Sequence, residues 1–174
     1  MSFVHSLVRQ IAHLIDDPAA IVFVRTTDGQ YVFVNEAYER QLHLTQAQVL
    51  GKANEEIYGS EDSVNWQSAD SFALALGVPV VTVEAWYDPS LRRWRKFSAL
   101  KWKATDPDTG DEFLVGVSVE ATDGEVLVQQ RLANLQAGVI AAWDSTATGR
   151  KEAREADDQR GPSRGSTEDR SAGA

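Results

Sequence analysis

The sequence predicts an α+β fold in which a five-stranded antiparallel sheet carries short helices on one face, preceded by an N-terminal amphipathic helix and followed by a C-terminal one. Three observations lead there. Two β-branched and aromatic runs near the start flank an Asp-Gly turn, helix caps and stops fill the middle, and three long strand-like runs separated by turns close the region. With 174 residues and 43% hydrophobic content, the chain can bury one core of ordinary domain size beside flanking segments. The expected organisation is an amphipathic helix over 1–17, a core domain over 18–122, a coiled-coil-like helix over 123–144 and a disordered tail over 145–174.

Phe3, Val4, Leu7, Val8, Ile11, Leu14 and Ile15 recur at three and four residues, so they form one stripe of a helix that stops before Asp17-Pro18. Such a stripe needs a partner surface, either its own domain or the same helix of a second chain. Ile21 to Val24 and Tyr31 to Val34 read as a hairpin around Asp28-Gly29. Asn35 is placed to cap a short helix that carries Glu36 and Glu39 in its first turn and ends near Leu42 to Leu44. Thr45 to Gln48 reads as a capping box with Leu44 and Val49 as its hydrophobic staple and Gly51 as its stop. After a turn around Asn54 to Tyr58, a longer helix starts at Ser60-Glu61-Asp62 and is stopped by Gly77 and Pro79, with Trp66, Ala69, Phe72, Ala73 and Leu76 expected to face inward.

Val80 to Tyr87, Leu91 to Ala104 and Glu112 to Ala121 read as three antiparallel strands joined by turns at Asp88-Pro89-Ser90 and Thr105 to Gly110. Beyond Gly124, Val128, Leu132, Leu135 and Val139 step by four, three and four residues as a short heptad-like seam. From Ser145 onward large apolar residues are scarce and charges are mixed, a composition that does not support a packed core.

Charge and composition narrow the function. The net charge is −9, and up to Trp143 there are 11 basic against 19 acidic residues, so general binding to a phosphate backbone is not expected. The local exception is Arg92 to Lys103, which holds six of those basic residues and could either take an anionic ligand or pair with Glu84, Glu112 and Glu120. Zero cysteines remove disulfides and thiolate metal sites. Without an apolar run of about 20 residues or a leader pattern, a cytoplasmic protein with no membrane contact is expected. No Ser, His and Asp set, signed carboxylate pair or glycine-rich phosphate loop is present, and the chain is not expected to be an enzyme.

Four phrases resemble one family. Asp28-Gly29-Gln30-Tyr31-Val32-Phe33-Val34-Asn35-Glu36-Ala37-Tyr38, Leu50-Gly51-Lys52, Gly77-Val78-Pro79-Val80 and Gly116-Val117-Ser118-Val119-Glu120-Ala121-Thr122 follow in the order of a PAS domain, over about residues 18–122. The last is similar to Gly-Val-Ser-x-Asp-Ile-Thr, with Glu120 and Ala121 departing from it. The resemblance implies a sensory or interaction module that holds a small molecule between the inner sheet face and the helices, signals through flanking helices and works as a homodimer with a partner protein.

On that resemblance the candidate pocket residues are Tyr58, Trp66, Phe72, Trp86, Trp102, Gly116 and Ser118, and the candidate signal exit is Glu120, Ala121 and Thr122. Phe3, Leu7, Ile11 and Leu14 at the front, with Val128, Leu132, Leu135 and Val139 at the back, are the candidate dimerisation residues. The tryptophans Trp66, Trp86, Trp94 and Trp102 either stack on a planar ligand or fill the core and an interface. The cofactor is left unknown. Flavin-adduct photochemistry needs a cysteine the chain lacks, which leaves noncovalent flavin open, although Ser118 stands where flavin-binding relatives carry a glutamine; haem is not expected because Ser60 to Leu76 has no histidine, with His43 at the end of an earlier helix. The competing readings are a structural pairing module with a filled core and a small-molecule enzyme or carrier.

Overall fold

The computed structural model describes residues 2–14, 18–121, 133, 134 and 136–138. Its elements run α1 (Phe3–Leu14), β1 (Ile21–Thr26), β2 (Tyr31–Val34), α2 (Glu36–Leu42), α3 (Gln46–Val49), α4 (Asn54–Tyr58), α5 (Ser60–Leu76), β3 (Val80–Asp88), β4 (Arg93–Thr105) and β5 (Glu112–Glu120). The five strands form one antiparallel sheet in the order β2-β1-β5-β4-β3. The expected sheet is therefore found.

Strand alternation divides the core into two layers. On the outer face Val22 and Val24 of β1, Leu100, Trp102 and Ala104 of β4 and Val115, Val117 and Val119 of β5 pack together with Leu7 and Ile11 of α1. The stripe of α1 is thus spent on its own domain, at about 1.5–3 kcal/mol per fully buried aliphatic side chain. Leu7 and Ile11 are buried and Phe3 is partly buried there, so of the two partner surfaces open to the stripe, these positions meet that of their own domain.

The inner face carries Ile21, Phe23, Tyr31, Val34, Trp86 and Phe97 against Tyr38, Val49 and Trp66 from the helices. Tyr31 and Val34 are three apart yet share this face. The β1–β2 register shifts between Val24 and Arg25, so that Arg25 pairs with Tyr31 and Val32 is the extra residue of a bulge. This bulge fixes which face Arg25 and Tyr31 occupy.

Asn35 does more than cap α2. Its Oδ1 accepts from the backbone N–H of Tyr38 at 3.0 Å and of Val22 at 3.0 Å, while Nδ2 donates to the Ala20 carbonyl at 2.9 Å. The side chain therefore satisfies a helix terminus and a strand start together and sets Tyr38 against the sheet. Gly51, at φ +78°, donates from its N–H to the Tyr31 carbonyl at 2.8 Å, and the Tyr31 N–H donates to the Lys52 carbonyl at 3.0 Å. A positive φ favours glycine here, which accounts for the Gly-Lys phrase.

The inward stripe of α5 departs from the apolar pattern. Among its described side chains Ser63, Trp66, Asp70 and Ala73 are buried, while Phe72 and Leu76 are 56% and 48% exposed. Positions 63, 66, 70 and 73 follow helical spacing, and Phe72 lies two residues past Asp70, on the other side of the helix. Ion pairing by Asp70, described below, sets the rotation of α5 instead of its apolar pattern.

Candidate functional site

Between the inner sheet face and α2, α4 and α5 lies a cavity of ≈ 60 Å³. Its apolar wall is Ile21, Phe23, Leu42, Trp66, Trp86 and Phe97; its polar wall is Arg25, Tyr31, Tyr38, Asn54, Tyr58, Glu84, Lys101 and Ser118. That volume has room for several waters or one small ring.

The polar wall rests on a buried ion network. Asp70 of α5 accepts from the Arg25 guanidinium of β1 and from Lys101 Nζ of β4 at 2.6 Å, and Lys101 also donates to Glu84 of β3. Two cations face two anions. Arg25 and Lys101 are 3% and 1% exposed, a burial that two charged groups sustain only when paired. Burial opposes the Arg25 charge, but the charge and hydrogen bond of Asp70, with the charge of Glu84, outweigh it, holding the guanidinium above its ordinary range.

Above the network three tyrosines form a second polar group. Tyr31 donates to Asn54 Oδ1 at 2.7 Å, and the hydroxyls of Tyr38 and Tyr58 share a hydrogen bond at 2.5 Å. Burial pushes all three phenols above their usual range. They serve as neutral hydrogen-bonding groups. Two donors buried behind the wall, Arg25 Nε and Trp66 Nε1, have no partner among the described residues, and an unmet buried donor costs about 1–3 kcal/mol.

A third polar group sits at the edge of the cavity, at the end of β5. Arg95 donates from Nε and Nη2 to the Glu120 carboxylate at 2.8 Å each, from Nη1 to the Gln41 carbonyl at 2.6 Å and to Asp88 Oδ2 at 3.3 Å. Its guanidinium lies 5.0 Å from the Phe97 ring and 5.9 Å from the Trp86 ring, both cavity walls. The hydrogen bond with Arg95 holds the Glu120 carboxyl below its ordinary range and raises Arg95 in turn. Asp88 also closes the β3–β4 turn, accepting from the Ser90 and Leu91 N–H groups at 2.9 and 3.1 Å.

Of the candidate pocket residues, Tyr58, Trp66, Trp86 and Ser118 line the cavity. Trp102 does not: it belongs to the outer face beneath α1 because its strand neighbour Lys101 takes the inner side. Phe72 faces out of α5, for the rotational reason given above. Gly116 is on the inner face but roofed by Phe23, whose ring would stand 2.0 Å from an added Cβ, so it seats that ring and does not line the cavity. At the exit, Glu120 holds Arg95 and the Ala121 N–H donates to the Lys96 carbonyl at 2.8 Å. Thr122, Val128, Leu132, Leu135 and Val139 lie outside the described residues, as does the side chain of Leu14.

The basic run pairs as one of the two readings had it, Lys101 with Glu84, Lys103 with Glu112 at 2.7 Å, and Arg93 and Arg95 with Glu120. Arg25, Asp70 and Asn54 were not singled out from the sequence. The available signal was an arginine inside the Ile21–Thr26 run and an aspartate on a helix otherwise facing the sheet.

A flavin has three fused rings, and neither the cavity volume nor the Phe23 ring over Gly116 leaves room for them. Among the described residues no histidine lines the cavity and no metal-binding cluster of His, Cys, Asp and Glu occurs; His43 is an exposed helix end in a left-handed conformation, φ 57°. No helix among them is long and apolar enough to cross a membrane.

A family model described as the PAS fold matches residues 15–126. No curated protein matches the chain in sequence. Among solved structures, the PAS domain of Bordetella pertussis BvgS is similar at 21% identity and a TM-score of 0.50, covering 75% of this chain and 97% of that one. A Rhodobacter sphaeroides LOV protein is similar at 12% identity and a TM-score of 0.53, covering 87% and 99%. The Vibrio cholerae VqmA dimer gives 18% identity and a TM-score of 0.54, covering 67% and 52%. At these identities the likeness is one of fold.

Proposed function

The chain belongs to the PAS fold family, and from that premise we propose that it is a sensory module in which a small molecule in the inner cavity sets the state of the β5 end. The observation that carries this reading is the double role of Trp86 and Phe97. Each lines the cavity on one side and lies against the Arg95 guanidinium on the other. An occupant that moves either ring changes the seat of Arg95, and Arg95 ties the Glu120 carboxylate to the Gln41 carbonyl. A ligand acts on such a link only by its differential affinity for two arrangements.

Glu120 would then replace the usual aspartate by reaching a buried arginine with both oxygens. Output passes to the segment beyond Ala121, where the Val128, Leu132, Leu135 and Val139 seam pairs with that of a second chain. The module acts without catalysis, through pairing and a signalling partner.

Native mass spectrometry and absorption of freshly purified full-length protein test the first half. A bound small molecule of excess mass is the expected result, and a mass equal to the bare chain under gentle conditions counts against it. Sedimentation tests the second half: a dimer at high micromolar concentration is expected, and a monomer there removes the pairing step.

A further inference from the structure

We infer that the free edge of β3 docks a second copy of this chain, the two β3 strands pairing antiparallel about a two-fold axis. In the order β2-β1-β5-β4-β3 the sheet has two edges, β2 and β3. An edge strand carries a row of unmet N–H and C=O groups matched by another strand, and proteins that do not use such an edge blunt it.

The two edges differ in this respect. β2 is four residues long, bulged at Val32 and closed from outside: the Tyr31 N–H and carbonyl bond the Lys52 carbonyl and the Gly51 N–H, and Gln46 Nε2 donates to the Val34 carbonyl at 3.1 Å. β3 has none of these guards. It runs nine residues, Val80–Asp88, in unbroken register with β4, contains no proline, lysine or arginine, and among the described residues none of its backbone groups bonds anything beyond β4.

The face of this edge on the α1 side is apolar and bare. α1 packs over Leu100 and Trp102, and beyond them Val81, Val83 and Tyr87 of β3 stand exposed beside Trp94 of β4, whose ring lies 5.6 Å from that of Tyr87. Of the ten large apolar residues exposed among the described ones, eight fall between Phe72 and Trp94, so the uncovered surface is concentrated around β3.

The chemistry of the edge selects its occupant. Glu84 is paired with Lys101 and Asp88 with Arg95, so no free charge on β3 calls for an acidic or basic partner, and two copies meet here without like charges despite the net −9. The partner must bring an open, uncharged strand edge. Among the described residues β3 is the one such edge the chain offers, since β2 is closed; pairing is therefore β3 with β3 and stops at two copies. A two-fold normal to the sheet makes the strands antiparallel and joins Val81, Val83, Tyr87 and Trp94 of both copies into one apolar face. Neither a guest in the cavity nor the 128–139 seam is needed for it.

The test uses the full chain, with sedimentation and amide hydrogen exchange at about 5 and about 500 µM. A dimer is expected whose 80–88 amides exchange at least about fivefold more slowly at the higher concentration. Val83→Lys sets a solvated charge on the bare edge and is expected to raise the dimer Kd at least about tenfold and erase that slowing, with Tm within about 2 °C of the parent because the position is 66% exposed. Val32→Lys, on the closed edge, is expected to leave Kd within about twofold. The concentration dependence in the unaltered protein stands independently of either variant.

A dimer that Val83→Lys leaves unaltered, or that Val32→Lys weakens equally, forms through another surface, which overturns the edge inference and leaves the seam reading intact. A monomer with freely exchanging 80–88 amides also overturns it and leaves the edge to a foreign strand. Slow exchange at both concentrations means that the chain covers its own edge, and the second copy is again overturned.

Discussion

Replacing Gly116 by alanine tests the packing beneath the cavity most directly. Gly116 pairs with Phe23 across β5 and β1, and an added Cβ would stand 2.0, 2.4 and 2.5 Å from three atoms of the Phe23 ring. Ordinary contact begins near 3.4 Å, so the ring must retreat by at least ~1.4 Å. The backbone offers no relief, since Gly116 sits mid-strand between β1 and β4. Retreat takes the ring from the Arg25 guanidinium at 5.2 Å and from the Tyr31 ring at 6.0 Å. Overpacking of this kind costs about 3 kcal/mol, equivalent to a fall of about 10–20 °C in Tm for a domain of this size. Phe23→Leu alone should cost about 1 kcal/mol, but in the double variant the shorter side chain accepts the new methyl, so the two costs fall short of their sum by about 1–2 kcal/mol. Thermal and urea unfolding of the four proteins measures this cycle. A Gly116→Ala midpoint within about 2 °C of the parent, or strict additivity, would refute the claim that the ring rests on the glycine.

Two further outcomes follow from the titrating groups. Glu120→Gln removes a carboxylate whose folded pKa lies below its unfolded one, so its stabilisation is present above the ordinary carboxylate range near 4.3 and is lost as pH falls through the folded value. The parent should therefore exceed the variant by about 1–2 kcal/mol at pH 7, with the gap closing below about pH 4; a constant gap from pH 7 to 3 would contradict the Arg95 pairing. Tyr31, Tyr38 and Tyr58 should stay protonated through an alkaline titration until the domain unfolds, so their tyrosinate absorbance should rise together with loss of circular dichroism. An earlier rise from these three, seen in single Tyr→Phe variants, would show them open to solvent.

The order of elements was legible because periodicity and capping chemistry are local: the Asn35 cap, the stop at Gly77 and the three-strand meander all stand where those signals put them. The cavity wall was legible only in part. Trp86 and Trp102 look alike in a sequence, yet one lines the cavity and the other packs beneath α1, because register decides the face and register depends on partners far along the chain. Phe72 misled for a related reason, since its apolar character said inward while the pairing of Asp70 with Arg25 and Lys101 turned the helix the other way. Long-range ion pairs leave no periodic trace, and Arg25, 45 positions from its partner, could not be matched to it in advance.

The quartet of Arg25, Asp70, Lys101 and Glu84 has a mechanical consequence. Aliphatic side chains at these four places would let α5 slide down until the gap closed, since apolar contact has no preferred direction. Charged tips on long stems behave as struts of set length, and shortening or tilting the arrangement would break bonds that cannot be replaced by water. The hollow in this protein is therefore propped open by its own framework, whether or not a guest is inside.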